Sequence, residues 1–157
     1  MVSKKNIDEF RNRLKANTKI GLPKIKIPMG FLAIFNTNQK CFYGSFDNFN
    51  FELTTNSNFV PVLYFLKGNY KSAENKLLVN YSVEPVGKFR IAWVKYFPPI
   101  LLIMFNYLFL YIVIPPTAVH ITFNIIIVLM TILSAWLLQR EKKRLRIKFN
   151  TIFEIIA

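Results

Sequence analysis

Residues 97–138 read FPPILLIMFNYLFLYIVIPPTAVHITFNIIIVLMTILSAWLL and lie within an uncharged run of 44 residues, Tyr96–Gln139. A helix rising 1.5 Å per residue needs roughly 20 residues to cross a hydrocarbon core of about 30 Å, so two crossings fit if the chain turns midway. Pro115 and Pro116 supply the turn. Proline lacks the amide donor, clashes with the preceding turn and pushes the residue before it out of the α region, which ends a helix near Ile114. The sequence thus predicts a first span over 97–114, with Pro98 and Pro99 in its first turn where missing donors cost little. A second span follows over 118–138, with Thr117 as its N-cap.

A soluble helical hairpin would need a partner able to cover two helices that are apolar on every face, and the 95 residues before the run are too few. Trp93, Tyr96 and Trp136 stand near the ends of the spans, where an amphipathic ring suits the headgroup boundary. Lys88, Arg90 and Lys95 precede the first span, and Arg140, Lys142, Lys143, Arg144 and Arg146 follow the second, while the connecting loop has no charge. The positive-inside rule then predicts an inner-membrane protein with both termini cytoplasmic and only Pro115–His120 exposed on the far side. The start, MVSKKNIDEFRNRLKANTK, is charged throughout and lacks an apolar signal region, which agrees with a cytoplasmic N-terminus.

With 157 residues the chain has room for one ordinary domain. Lys and Arg number 21 against 8 Asp and Glu, none of them between residues 96 and 139, so charge and apolar sequence are segregated. Cys41 is the single cysteine, which excludes an internal disulfide framework and a cysteine-based zinc cluster.

Outside the spans, Ile7, Phe10 and Leu14 recur at helical spacing and predict an amphipathic helix over 4–16 with Ser3 as cap, followed by a Pro/Gly-punctuated connector to residue 39. Residues 40–90 predict a small antiparallel four-stranded β-meander, with strands over 40–46, 49–55, 59–70 and 76–83. Asp47-Asn48 is the expected two-residue turn of the first hairpin, KSAEN (71–75) joins the second, and Pro61 belongs at a strand start or an edge. Phe49, Phe51 and Leu53 are expected on one face of their strand, and Asn50, Glu52 and Thr54 on the other. After the hairpin over 91–139, residues 140–157 predict a basic helix that continues the second span, with Leu145, Phe149, Ile152 and Ile156 as a stripe able to dock on the sheet. The fold class expected is a membrane α+β protein.

FYGSFDNFNFELTTNSNFVPVLYFLKGNY (42–70), the two-span hairpin and EKKRLRIKFNTIF (141–153), taken together, resemble a group of small bacterial two-span membrane proteins with a cytoplasmic β-domain. Gly44, Gly68 and the Asn58, Phe59, Pro61 segment carry the resemblance, which spans residues 40–157. It implies the same layout and assigns no catalytic, cofactor or binding residue.

Reactive constellations are missing from the sequence. His120, the only histidine, lies across the predicted bilayer from Cys41, and Asp47, Glu52, Glu74 and Glu84 lack ligand spacing. Asp47 suits a turn, whereas Glu52 and Glu84 could converge across strands as an acid/base pair. No metal or cofactor is expected. The basic cluster following the second span has its position explained by topology and contact with anionic lipid headgroups rather than by nucleic acid. The expectation is a non-enzymatic membrane-anchored binding or accessory module with the bilayer, and a protein partner or a second copy, as partners. The alternative is a membrane-embedded oligomer such as a channel, a holin-like protein or a transporter-accessory subunit. Asn106 and Asn124 lie eight residues on either side of the Ile114 and Pro116 turn, so a hairpin places both at one depth, where two amides can satisfy each other.

Overall fold

The computed structural model describes residues 1–22, 40–56, 62–73 and 76–156. The chain forms two compact units, one made of Met1–Val86 with Glu141–Ala157 and the other of Gly87–Arg140.

The first unit is a mixed sheet carrying helices on one face. Its strands are β1 (Val2–Ser3), β2 (Thr18–Ile20), β3 (Phe42–Phe46), β4 (Asn50–Thr55), β5 (Tyr64–Ala73), β6 (Lys76–Pro85) and β7 (Ile155–Ile156), in the order β2-β3-β4-β5-β6-β1-β7. Strands β3 to β6 pair consecutively and antiparallel. The four-stranded meander is therefore extended to seven strands. β2 joins β3 in parallel, and β1 lies between β6 and β7, antiparallel to both. These additions are two or three residues long, too short for a local pattern, and exist because a neighbouring strand offers them hydrogen bonds.

Helix α1 spans Ile7–Asn17, later than the 4–16 expected, and its cap is Asn6, whose Oδ1 accepts from the Glu9 amide at 2.8 Å. Ser3 is instead a buried strand residue whose hydroxyl donates to the Phe153 carbonyl at 2.8 Å. Residues 18–20, expected in the connector, are β2; residues 23–39 of the connector lie outside the described residues, as do Pro61, Asn58 and Phe59. β5 runs through Ala73, so Lys71, Ser72 and Ala73 of the expected KSAEN turn are strand.

The first hairpin turns over more than Asp47-Asn48, since Phe46 pairs with Phe51 and four residues lie between them. Asp47 closes this turn. Its Oδ1 accepts from the amides of Phe49 (2.7 Å) and Asn50 (2.6 Å), and these bonds, Phe49's first, hold its carboxyl below the usual aspartate range. Phe49 sits in the turn and is exposed rather than sharing the buried face of Phe51 and Leu53, while Thr54 on the opposite face is buried.

The core is aromatic. Phe10 and Leu14 of α1 and Leu145, Phe149 and Phe153 of the C-terminal helix bury themselves against Phe42, Phe51, Leu53, Leu66, Tyr70, Leu77 and Val79 of the sheet. Phe149 stacks on Phe51 at 5.1 Å and meets Tyr81 edge-on at 5.0 Å. Gly68, opposite Phe51 in the register, leaves the room that ring occupies, for a Cβ there would lie 2.6 Å from it. The buried tail stripe is thus Leu145, Phe149 and Phe153 at i, i+4 and i+8; Ile156, expected on it, belongs to β7 and is exposed.

The second unit holds the two helices long and apolar enough to cross a membrane, α2 (Lys88–Tyr111) and the first part of α3 (Thr117–Phe153). Only 6% and 11% of their most apolar windows is buried, unlike the core helices of a soluble protein. α2 starts at Lys88, eight residues before the uncharged run that begins at Tyr96, so Pro98 and Pro99 lie inside it rather than in its first turn. It ends at Tyr111, three residues before Ile114, with the Ile112 and Val113 amides both donating to the Leu108 carbonyl at 2.9 Å. Thr117 is already helical and is not the cap; the Pro116 carbonyl accepts the first α3 amides, from Val119 at 2.9 Å and His120 at 3.2 Å.

Candidate functional site

Three side chains meet between α2 and α3 in otherwise apolar sequence. Asn106 lies five residues before the end of α2, and Asn124 and His120 are one turn apart on α3, which sets them on one face. Asn106 Nδ2 donates to Asn124 Oδ1 at 2.6 Å and to the Leu102 carbonyl at 2.8 Å. Asn124 Nδ2 donates to Asn106 Oδ1 at 3.2 Å and to the His120 carbonyl at 3.1 Å. His120 Nε2 stands 2.8 Å from Asn106 Oδ1. Because both Asn106 amide hydrogens point at carbonyl oxygens, its Oδ1 is the acceptor and the imidazole hydrogen is on Nε2. Both amide nitrogens have two acceptors and Asn106 Oδ1 has two donors, so the pair is nearly saturated within one chain.

Aromatic rings enclose this polar clasp. Phe123 lies 4.8 Å from Phe105 and 5.6 Å from Phe109, and Phe109 meets the His120 ring edge-on at 5.6 Å. Pro115 and Pro116, in the non-helical segment before Thr117, let α3 begin soon enough to bring His120 to Asn106. Sequence reasoning assigned His120 to the loop; its four-residue spacing from Asn124 is the signal that would have placed it in the cluster.

The opposite end of the unit is basic and aromatic. Phe89, Trp93 and Phe97 form an i, i+4, i+8 ladder with ring separations of 6.1 and 4.7 Å. Lys95 lies over the Tyr96 ring at 5.1 Å, and the Arg140 guanidinium over Trp136 at 4.8 Å. The remaining tail cations belong to the sheet unit. Arg144 pairs with Glu141 at 3.7 Å, and Lys142, Lys143 and Arg146 are exposed.

The sheet face opposite Phe51 and Leu53 carries a polar, exposed stretch beside the buried Thr54 and Phe65. Asn50, Asn69 and Asn80 stand in register on three neighbouring strands, and Ser45, Glu52, Lys67 and Ser82 form the next row, beside an open depression of about 440 Å³. Glu52 and Glu84 share this face but have other partners: Glu52 pairs with Lys67 at 3.7 Å, and Glu84 accepts from the Ser82 hydroxyl at 2.9 Å. Among the described residues, His, Cys, Asp and Glu form no group of three or more able to hold a metal ion. Cys41 is a free, half-buried thiol of the sheet unit, and His120 belongs to the other unit.

The N-terminal segment locks the end of α3. Arg13 donates to the Ile152 carbonyl at 2.7 Å, and Lys5 and Arg13 each reach Glu154 at 3.1 Å. Glu154 has a left-handed backbone (φ 49°), which stops the helix and turns the chain into β7. The Lys5 ammonium, with Arg13 beside it, holds the Glu154 carboxyl below its ordinary range, and Glu9 with Glu154 raises the Lys5 pKa. No protein-family model matches the chain, and no curated protein or solved structure matches it either.

Proposed function

We propose that this protein is a non-enzymatic binding or accessory module whose sheet domain is held at the cytoplasmic face of the inner membrane by a transmembrane hairpin, α2 and the apolar part of α3. The saturated clasp carries the proposal. Asn106 and Asn124 spend their hydrogen-bonding capacity on each other, on His120 and on their own helices, so the hairpin has no need of a neighbouring subunit. A pore or oligomer would instead be expected to turn these amides toward a copy or a water-filled path. Connectivity supports the anchoring. The chain leaves the sheet unit at Val86 and rejoins it at Glu141, so both ends of the hairpin belong on one side of a membrane. The charged flanks favour the cytoplasmic side. The polar open face of the sheet, with its row of three asparagines, is the surface offered to a protein partner.

Disulfide trapping of an Asn106→Cys, Asn124→Cys double variant in a Cys41→Ser background, in native membranes, tests the proposal. An intramolecular crosslink that leaves the protein monomeric is expected. A ladder of covalent oligomers would favour the membrane-embedded oligomer instead.

A further inference from the structure

Resting on the reading that the sheet domain takes a protein partner, we propose that the β7 edge docks an extended segment of that partner as a further strand, one carrying an apolar residue and a carboxylate two positions apart. The strand order ends at β7, so one side of β7 faces no strand. The ladder decides which backbone groups that side presents. The Val79 amide donates to the Met1 carbonyl at 3.0 Å, which makes Met1 with Val79, and then Ser3 with Leu77, the hydrogen-bonded pairs of β1 and β6. The Lys4 amide donates to the Glu154 carbonyl at 3.2 Å, which makes Lys4 with Glu154, and then Val2 with Ile156, the hydrogen-bonded pairs of β1 and β7. Ser3 and Ile155 are therefore opposite but not bonded to each other, and the Ile155 amide and carbonyl point outward from the sheet. An added strand pairs with groups of this kind.

The side chains beside that edge name the occupant. Leu78 and Lys71 lie two residues from Asn80 and Asn69 on the same strands and so share the face of the asparagine row. In register Lys71, Leu78, Val2 and Ile156 form one line, whose three apolar members end at β7, where Ile156 is 53% exposed. Two residues further along on this face stand Lys76 of β6 and Lys4, which follows β1, and both line a cleft of about 360 Å³ with Val2 and Ile156. Lys4, Lys71 and Lys76 are exposed and form no ion pair among the described residues. Neighbouring charges are already matched: Lys5 is held by Glu9 at 2.6 Å and Glu154 at 3.1 Å, and Glu154 also by Arg13. Glu74, between Lys71 and Lys76, lies outside the described residues. An apolar line with cations one step along the same face complements a strand whose apolar side chain is followed, two residues on, by a carboxylate.

The probe is a capped octapeptide in which valine and glutamate alternate at every second position with threonine between them, so that it fits β7 in either direction. Labelled with a fluorophore, it is titrated with the full chain in uncharged detergent micelles and followed by anisotropy. Binding is expected with a Kd below about 1 mM, weakened about five-fold or more in Lys4→Gln, Lys76→Gln. Lys142→Gln, Lys143→Gln removes the same charge from the tail and should leave the affinity unchanged. N-methylation at alternate peptide amides tests the strand itself: of the two possible sets, the one facing β7 should abolish binding and the other should spare it. Equal effects of the two sets, or equal binding of a peptide with glutamine in place of glutamate, overturn the proposal. A loss in the tail variant as large as in Lys4→Gln, Lys76→Gln also overturns it, because it would show general attraction to a basic chain. Absence of binding to the wild-type chain overturns the β7 site alone. The module reading fails separately, by a ladder of covalent oligomers in the disulfide trapping, whatever the peptide does.

Discussion

Phe149→Ala should unfold much of the sheet domain's cooperative structure although the residue lies 62 positions beyond Gly87, where the intervening helical unit begins. The Phe149 side chain is fully buried and packs against Phe51, Tyr81 and Phe153 at 5.1, 5.0 and 4.7 Å, with Phe42 at 6.2 Å. Truncating such a ring removes its transfer free energy and leaves a cavity that four rigid neighbours fill poorly, a loss of about 3–5 kcal/mol. A domain of this size is stable by only about 5–15 kcal/mol. At about 4–8 °C per kcal/mol the melting temperature should fall by about 12 °C or more. Near-ultraviolet circular dichroism of the full chain in detergent micelles reads the aromatic packing directly. Phe89→Ala, at a ring that is 79% exposed, should leave the transition unmoved. A shift below about 3 °C for Phe149→Ala would mean that the C-terminal helix is not part of the domain core.

The Glu154 lock predicts a pH effect. Its carboxyl titrates below its ordinary range in the folded chain, so the interaction stabilises above that range and is lost as the pH falls through the depressed folded value. Melting temperatures measured from neutral pH downward should therefore fall more steeply for the wild-type chain than for Glu154→Gln, and parallel curves would rule out the lock as a source of stability. Reversing Lys142, Lys143, Arg144 and Arg146 to Glu should invert or misinsert the hairpin, because the Pro115–His120 segment holds no opposing charge. Unchanged topology would mean that Lys88, Arg90 and Lys95 suffice.

Where periodicity was long, the sequence was informative. The 44 uncharged residues and the prolines at 115 and 116 pointed to two apolar helices with a break between them, and period-two alternation located β3 to β6 approximately. Helix ends were displaced for physical reasons. Lys88, Arg90 and Lys95 hide the first turns of α2 from a hydropathy argument, yet those turns form because nothing before Pro98 breaks the helix. β1, β2 and β7 were illegible because two or three residues acquire strand geometry only from a partner far away in sequence, as Val2 does from Leu78 and Ile156. The tail stripe was read through Ile152 rather than the fully buried Phe153 beside it, and extended to Ile156 because the helix was assumed to continue, whereas Glu154 stops it without a glycine. In the candidate site, equal depth drew attention to Asn106 and Asn124, but His120 was counted with the exposed loop although the predicted 118–138 span already set it one turn from Asn124.

Cysteine accessibility in intact cells tests the central claim, a two-span hairpin leaving and re-entering one cytoplasmic sheet domain. Single cysteines are placed at Asn69 on the open sheet face, at Arg146 on the tail and at Thr117 beside the turn, each in a Cys41→Ser background, and treated with a membrane-impermeant maleimide. The account predicts labelling at position 117 in intact cells, and at 69 and 146 only after the membrane is permeabilised. Labelling of 69 or 146 in intact cells would contradict the orientation, and labelling of one but not the other would contradict placing both residues in one unit.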